Sequence, residues 1–67
     1  FQPVTHYHLG VALTRLGLIE RAVEAFGVAV TQAPGLRDAH RRLAALYADH
    51  LDEPVLAERH RQMAEPG

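Results

Sequence analysis

Apolar residues recur at intervals of three and four in four stretches of the chain, with turn-forming residues between the stretches. From Val4 to Leu16, the residues Leu9, Leu13 and Leu16 form one helical stripe. From Glu20 to Gln32 the stripe is Ala22, Val23, Phe26, Ala29 and Val30. From Arg37 to His50 it runs through His40, Leu43, Leu46 or Tyr47, and His50 or Leu51. After Asp52 it is carried by Leu56, His60 and Met63.

The breaks fall at Pro3, Gly17, Pro34-Gly35, Asp52-Glu53-Pro54 and Pro66-Gly67. Gly17 stands where a left-handed residue closes a helix, and Pro34 lacks the amide needed to continue one. Glu20 and Glu24 lie in the first turns of the second stretch, where negative charge is favourable. Asp38 precedes Arg42 by four residues and is placed to support the third helix. Asp52 is a suitable N-cap for the fourth, with Pro54 tolerated in its opening turn. No stretch alternates with the period of a strand, and no Asn-Gly or Asp-Gly hairpin turn occurs. Connections of a few residues force neighbouring helices to run antiparallel. The pattern therefore predicts an all-α fold of four helices in up-down order, within one domain spanning residues 1–67.

The chain also repeats itself. A shift of 34 residues puts His6 on His40, Leu9 on Leu43, Gly10 on Ala44, Ala12 on Leu46 and Leu13 on Tyr47. This is the period of the tetratricopeptide repeat, a helix-turn-helix unit. Leu9, Gly10, Leu13, Ala22, Phe26, Ala29 and Pro34 stand at the spacing of that family's pattern, so the first repeat, about residues 3–36, resembles it closely. His6 and Leu13 depart from it at two aromatic positions. Small residues at Gly10, Ala22 and Ala29 allow two helices to approach, and Phe26 is expected to fill the gap against the next repeat. The second repeat, about residues 37–65, starts in register and then slips, with one extra residue between Tyr47 and Ala57. Its alignment puts Ala57 on Ala22, Arg61 on Phe26 and Ala64 on Ala29. A charged residue at the Phe26 position suits a closing repeat with a solvated outer face. The resemblance implies antiparallel helix-turn-helix repeats forming a fragment of a right-handed superhelix.

It also implies a binding surface. The leucine stripe of the first helix is expected to be taken up by the hairpin core. A second stripe, Val4, Tyr7, Val11 and Thr14 with Arg15 alongside, then corresponds to the family's concave, peptide-holding side. On the third helix that side carries Asp38, Arg41, Ala45, Ala48 and Asp49. The expected partner-binding groove is thus Tyr7, Val11, Thr14, Arg15, Asp38, Arg41, Ala45 and Asp49. Tyr7 and Val11 would act as apolar anchors, with Arg15 and Arg41 clamping an acidic or extended peptide. Alternatively, Val4, Tyr7 and Val11 pack on a preceding repeat of a longer parent or on a second copy. Relatives that clamp a chaperone's terminal carboxylate use Lys and Asn here; this chain has Tyr7 and Val11, which disfavours that activity.

Composition narrows the other possibilities. A chain of 67 residues hides only about 60% of its unfolded surface, so a free-standing core is marginal. The lack of cysteine removes disulfides and thiolate metal sites. Seven arginines and eight carboxylates are interspersed, giving a net charge of −1 and no basic block for nucleic acid. No apolar run reaches the roughly 18 residues of a membrane span. Arg59 and Arg61 are offset by Glu53, Glu58 and Glu65, so membrane-surface binding is not expected either. The chain starts at Phe1 with no signal peptide and reads as a piece of a longer protein, cytoplasmic rather than secreted.

The five histidines read as structural. His6 and His8 point in different directions on a helix, while His50 and His60 are the pair that a turn could bring together. The cluster of Asp49, His50 and Asp52 reads as a solvated turn, and no phosphate loop or activated nucleophile is present. The expectation is a non-catalytic protein–protein interaction module without cofactor or metal, with a protein or peptide partner. An assembly appendage of a larger enzyme, self-associating through the N-terminal helices, is the first alternative. A metal-binding helical domain is the second.

Overall fold

Four α-helices and no strand occupy residues 2–65, the part that the computed structural model describes. They are α1 (Pro3–Arg15), α2 (Ile19–Gln32), α3 (Arg37–Asp49) and α4 (Pro54–Ala64). The predicted closing turn at Pro66-Gly67 lies outside the described residues. The all-α class and the four helices follow the pattern of apolar positions. Helix α1 packs on α2, α3 on α4, and α2 joins the two hairpins by packing on α3.

The turns explain the slip between the repeats. Gly17 has φ +80°, and the chain closes around it with Gly17 N–H donating to Thr14 O at 3.0 Å and Leu18 N–H to Leu13 O at 2.9 Å. That paired pattern satisfies carbonyls at the end of α1 and needs a left-handed residue, which glycine adopts without a Cβ penalty. In the second hairpin the left-handed residue is Asp52, at φ 53°. Glu53 N–H donates to Tyr47 O at 2.9 Å, which is the Leu18–Leu13 bond with one residue inserted before it. Asp52 is therefore not the N-cap of α4. Glu53 takes that position, without a side-chain capping bond, and Pro54 opens the helix.

Phe26 and Leu43 are the largest fully buried side chains, and Ala22, Ala29 and Ala39 are closed off completely beside them. The edge of Phe26 meets the Tyr7 ring at 5.7 Å between centroids. Its ring fills the space above Gly10, where an added Cβ would stand only 2.7 Å away. Phe26 thus seals its own hairpin and belongs to the same buried cluster as Ala39, Leu43 and Leu46 of α3.

Two expectations about the core are corrected. Of the α1 stripe only Leu13 is buried; Leu9 is 47% exposed and Leu16 72% exposed. Helix α1 carries apolar residues on several sides, and α2 covers the one with Gly10 and Leu13, with Tyr7 and Val11 packed half-buried at its edge. On α4, Met63 is exposed, and the buried positions are Ala57 and Ala64. Arg37 Nε donates to the Ala64 carbonyl at 3.0 Å and ties the end of α4 to the start of α3.

Candidate functional site

The predicted groove divides into two shallow depressions between α1 and α3. One, of about 410 Å³, is lined by Tyr7, Asp38, Arg41, Arg42 and Ala45. The other, of about 110 Å³, is lined by Thr14, Arg42, Ala45, Leu46, Asp49 and His50. Six of the eight predicted residues line these two depressions. Val11 lines neither and packs half-buried against the core. Arg15 lines neither and is exposed in the last turn of α1.

Arg42, which is not one of the predicted groove residues, belongs to both depressions. Asp38 pairs with Arg41 at 2.7 Å, one residue earlier than expected. That leaves Arg42 to reach across to α1. Its guanidinium lies 6.0 Å from the centroid of the Tyr7 ring, and its Nε donates to the Tyr7 hydroxyl at 3.4 Å. A cation over an aromatic face holds both side chains in place. With Arg41, Arg42 and Asp38 together, the first depression carries one net positive charge. The Thr14 hydroxyl donates to Gly10 O at 2.8 Å, so its proton is already committed within α1.

The histidines assemble differently from expectation. His60 meets His40, not His50. The two Nδ1 atoms lie 3.0 Å apart, and His40 Nε2 is 2.8 Å from the Pro34 carbonyl. The carbonyl can only accept, so His40 carries its proton on Nε2 and its Nδ1 accepts from His60 Nδ1–H. Between centroids, the His60 ring lies 5.3 Å from the His40 ring and 5.6 Å from the Tyr47 ring, to which it is nearly parallel. Burial pushes the His60 imidazole below its ordinary pKa of 6.5, and the neighbouring His40 and Arg59 add to this. The pair joins α3 to α4 beside Tyr47, away from the counterpart of the Phe26–Gly10 contact. The register of α4, shifted by the extra turn residue, is what brings His60 there. Among the described residues no group of three or more His, Asp or Glu side chains is gathered for a metal ion, and no helix is long and apolar enough to cross a membrane.

A third concavity was not foreseen. It lies between α3 and α4, measures about 510 Å³, and has a floor of Ala44, Ala48, Ala57 and Ala64. Its rim includes Arg61 and Glu58, which form an ion pair. The signal for it was present in the sequence: alanines on two adjacent helices with Arg61 at the Phe26 position.

No family model matches this chain, and no curated protein or solved structure matches it significantly.

Proposed function

We propose that this chain is a non-catalytic protein–protein interaction module of tetratricopeptide type, binding an extended, acidic peptide segment between α1 and α3. The observation that carries the reading is the Tyr7–Arg42 contact across the two helices, which holds an aromatic face and a guanidinium on one open depression. Arg41 stands on the same depression and is more than half exposed. Carboxylates of a peptide suit the two guanidiniums, and the exposed Ala45 leaves room for its backbone. The repeat pattern of Leu9, Gly10, Ala22, Phe26 and Ala29 supports the family part of the reading.

Panning random dodecapeptides against the chain tests this. The selected peptides are expected to be rich in Asp and Glu, and Arg42→Ala is expected to weaken their binding about tenfold, equivalent to one charge-assisted contact. Selected peptides without acidic enrichment, or binding that ignores Arg42→Ala, would count against it. The second reading, a self-assembling appendage of a larger protein, is favoured by the uncovered Leu9 and Leu16.

A further inference from the structure

The internal repeat allows each helix to be compared with its own counterpart. In α3, Ala39, Leu43 and Leu46 are 0%, 2% and 3% exposed, closed against the first hairpin. The same positions in α1, by the shift of 34 residues, are Thr5, Leu9 and Ala12. All three are exposed. One turn further along that face Leu16 is also exposed, and Val28 of α2 stands open on the same hairpin. Helix α1 thus presents to solvent the face that α3 uses for packing.

The opposite end of the molecule carries the matching surface. The floor of the α3–α4 groove is Ala44, Ala48, Ala57 and Ala64. Their counterparts in the first hairpin are Gly10, Thr14, Ala22 and Ala29, and α3 packs on that hairpin through α2. The difference lies in what fills it. Phe26 closes the first seat above Gly10, whereas Arg61 pairs with Glu58 at the rim and the second seat stays open. Alanine floors of this kind admit the larger side chains of an incoming helix.

We propose that the chain self-associates head to tail, the Leu9 face of α1 in one copy resting in the α3–α4 groove of the next. The occupant is a second copy because one chain carries both halves of the contact, in the repeat register that already packs α3 on the first hairpin. Leu9, at the position of the buried Leu43, is the knob, and the space left by the missing Phe26 is the hole. Such a contact is heterologous: each added copy offers a fresh groove at one end and a fresh α1 face at the other. The groove borders the peptide depression at Arg41 and Ala45, but the peptide reading stands on Tyr7 and Arg42 and this contact on Leu9 and Ala48, so the variants test the two separately.

Sedimentation velocity of the 67-residue chain from micromolar to millimolar concentration tests it, with circular dichroism to follow helicity. The mass is expected to rise with concentration through dimer to larger species. Leu9→Glu and Ala48→Glu each replace an exposed residue and are expected to give folded monomers. Mixed together, they leave one intact groove and one intact α1 face, so the mixture is expected to form a one-to-one dimer and nothing larger. If Leu9→Glu loses helicity, Ala12→Glu, at the position of the buried Leu46, replaces it. Arg42→Ala is expected to leave the mass unchanged. A wild-type chain that stays monomeric throughout overturns the proposal and gives the groove to a helix of a different protein. A mixture that stays monomeric while the wild type dimerises overturns it in favour of a symmetric α1–α1 contact.

Discussion

Phe26 occupies the space that a side chain at Gly10 would need: an added Cβ would lie 2.7 Å from Cε1 and 2.8 Å from Cδ1 and Cζ of the ring. The ring cannot easily retreat, because it is fully buried and meets Tyr7 edge-on. Gly10→Ala sets two effects against each other. The gain in helix propensity is about 1 kcal/mol, and the cost of overpacking is about 1–3 kcal/mol. Overpacking is expected to win, lowering the urea midpoint without changing the slope. A variant more stable than the wild type would show that Phe26 moves freely.

The pair Leu43 and Leu9 tests whether equivalent positions have different roles. Leu43→Ala removes a fully buried side chain and is expected to cost about 2–5 kcal/mol. Leu9→Ala at the matching position of α1 is expected to cost less than about 1 kcal/mol, because its side chain is already half in water. Dilute, monomeric chain is required for the comparison, and thermal melts of the two variants decide it. Similar losses at both positions would contradict the exposed placement of Leu9.

At Gly17 nothing lies within 4 Å of an added Cβ, so only the backbone resists substitution. Gly17→Ala forces a Cβ into the left-handed region at φ +80° and is expected to cost about 1–2 kcal/mol. In a chain of this size each kcal/mol lowers the melting temperature by about 4–8 °C. An unchanged melting curve would mean that the turn had relaxed to another conformation.

Acid is expected to loosen the second hairpin. Burial, His40 and Arg59 lower the folded-state pKa of His60 below 6.5, so between the two values the unfolded chain binds more protons than the folded one. The contribution of His60 is therefore fully present above pH 6.5 and is lost as pH falls through the depressed value. In His60→Phe the stack on Tyr47 can persist, but the titrating group is gone. Urea midpoints measured from neutral to mildly acidic pH should fall more steeply for the wild type than for His60→Phe. Equal slopes would remove His60 as the cause.

The helices were legible because their breaks are chemical: Gly17 needs no Cβ penalty to turn left-handed, and Pro34 has no amide to donate. The small-residue pattern of Gly10, Ala22 and Ala29 was legible because Ala44, Ala57 and Ala64 repeat it. The buried side of α1 was not. With Val4, Tyr7, Leu9, Val11, Leu13 and Leu16 distributed around it, α1 has no single apolar face, and the landing of α2 decides which residues are covered. Asp52 was misread because aspartate suits both an N-cap and a left-handed turn, and only the backbone distinguishes them. The His40–His60 pair depends on the register of α4, which that same turn sets. Arg42 escaped notice because a local ion pair with Asp38 was the simpler reading, while the contact that Arg42 makes joins helices far apart in sequence.

The two hairpins are sealed by unlike means, and this has a consequence for how the chain opens. A phenyl ring locked over a glycine holds α1 and α2, whereas α3 and α4 are held through alanines, a histidine pair and the Arg37–Ala64 clasp. Amide protection is then expected to be graded along the chain, highest in α2 and the inner turns of α3 and lowest in α4, with α4 expected to detach as a unit while the first hairpin stays shut. The last helix behaves as a door, and whatever rests in its groove holds that door closed.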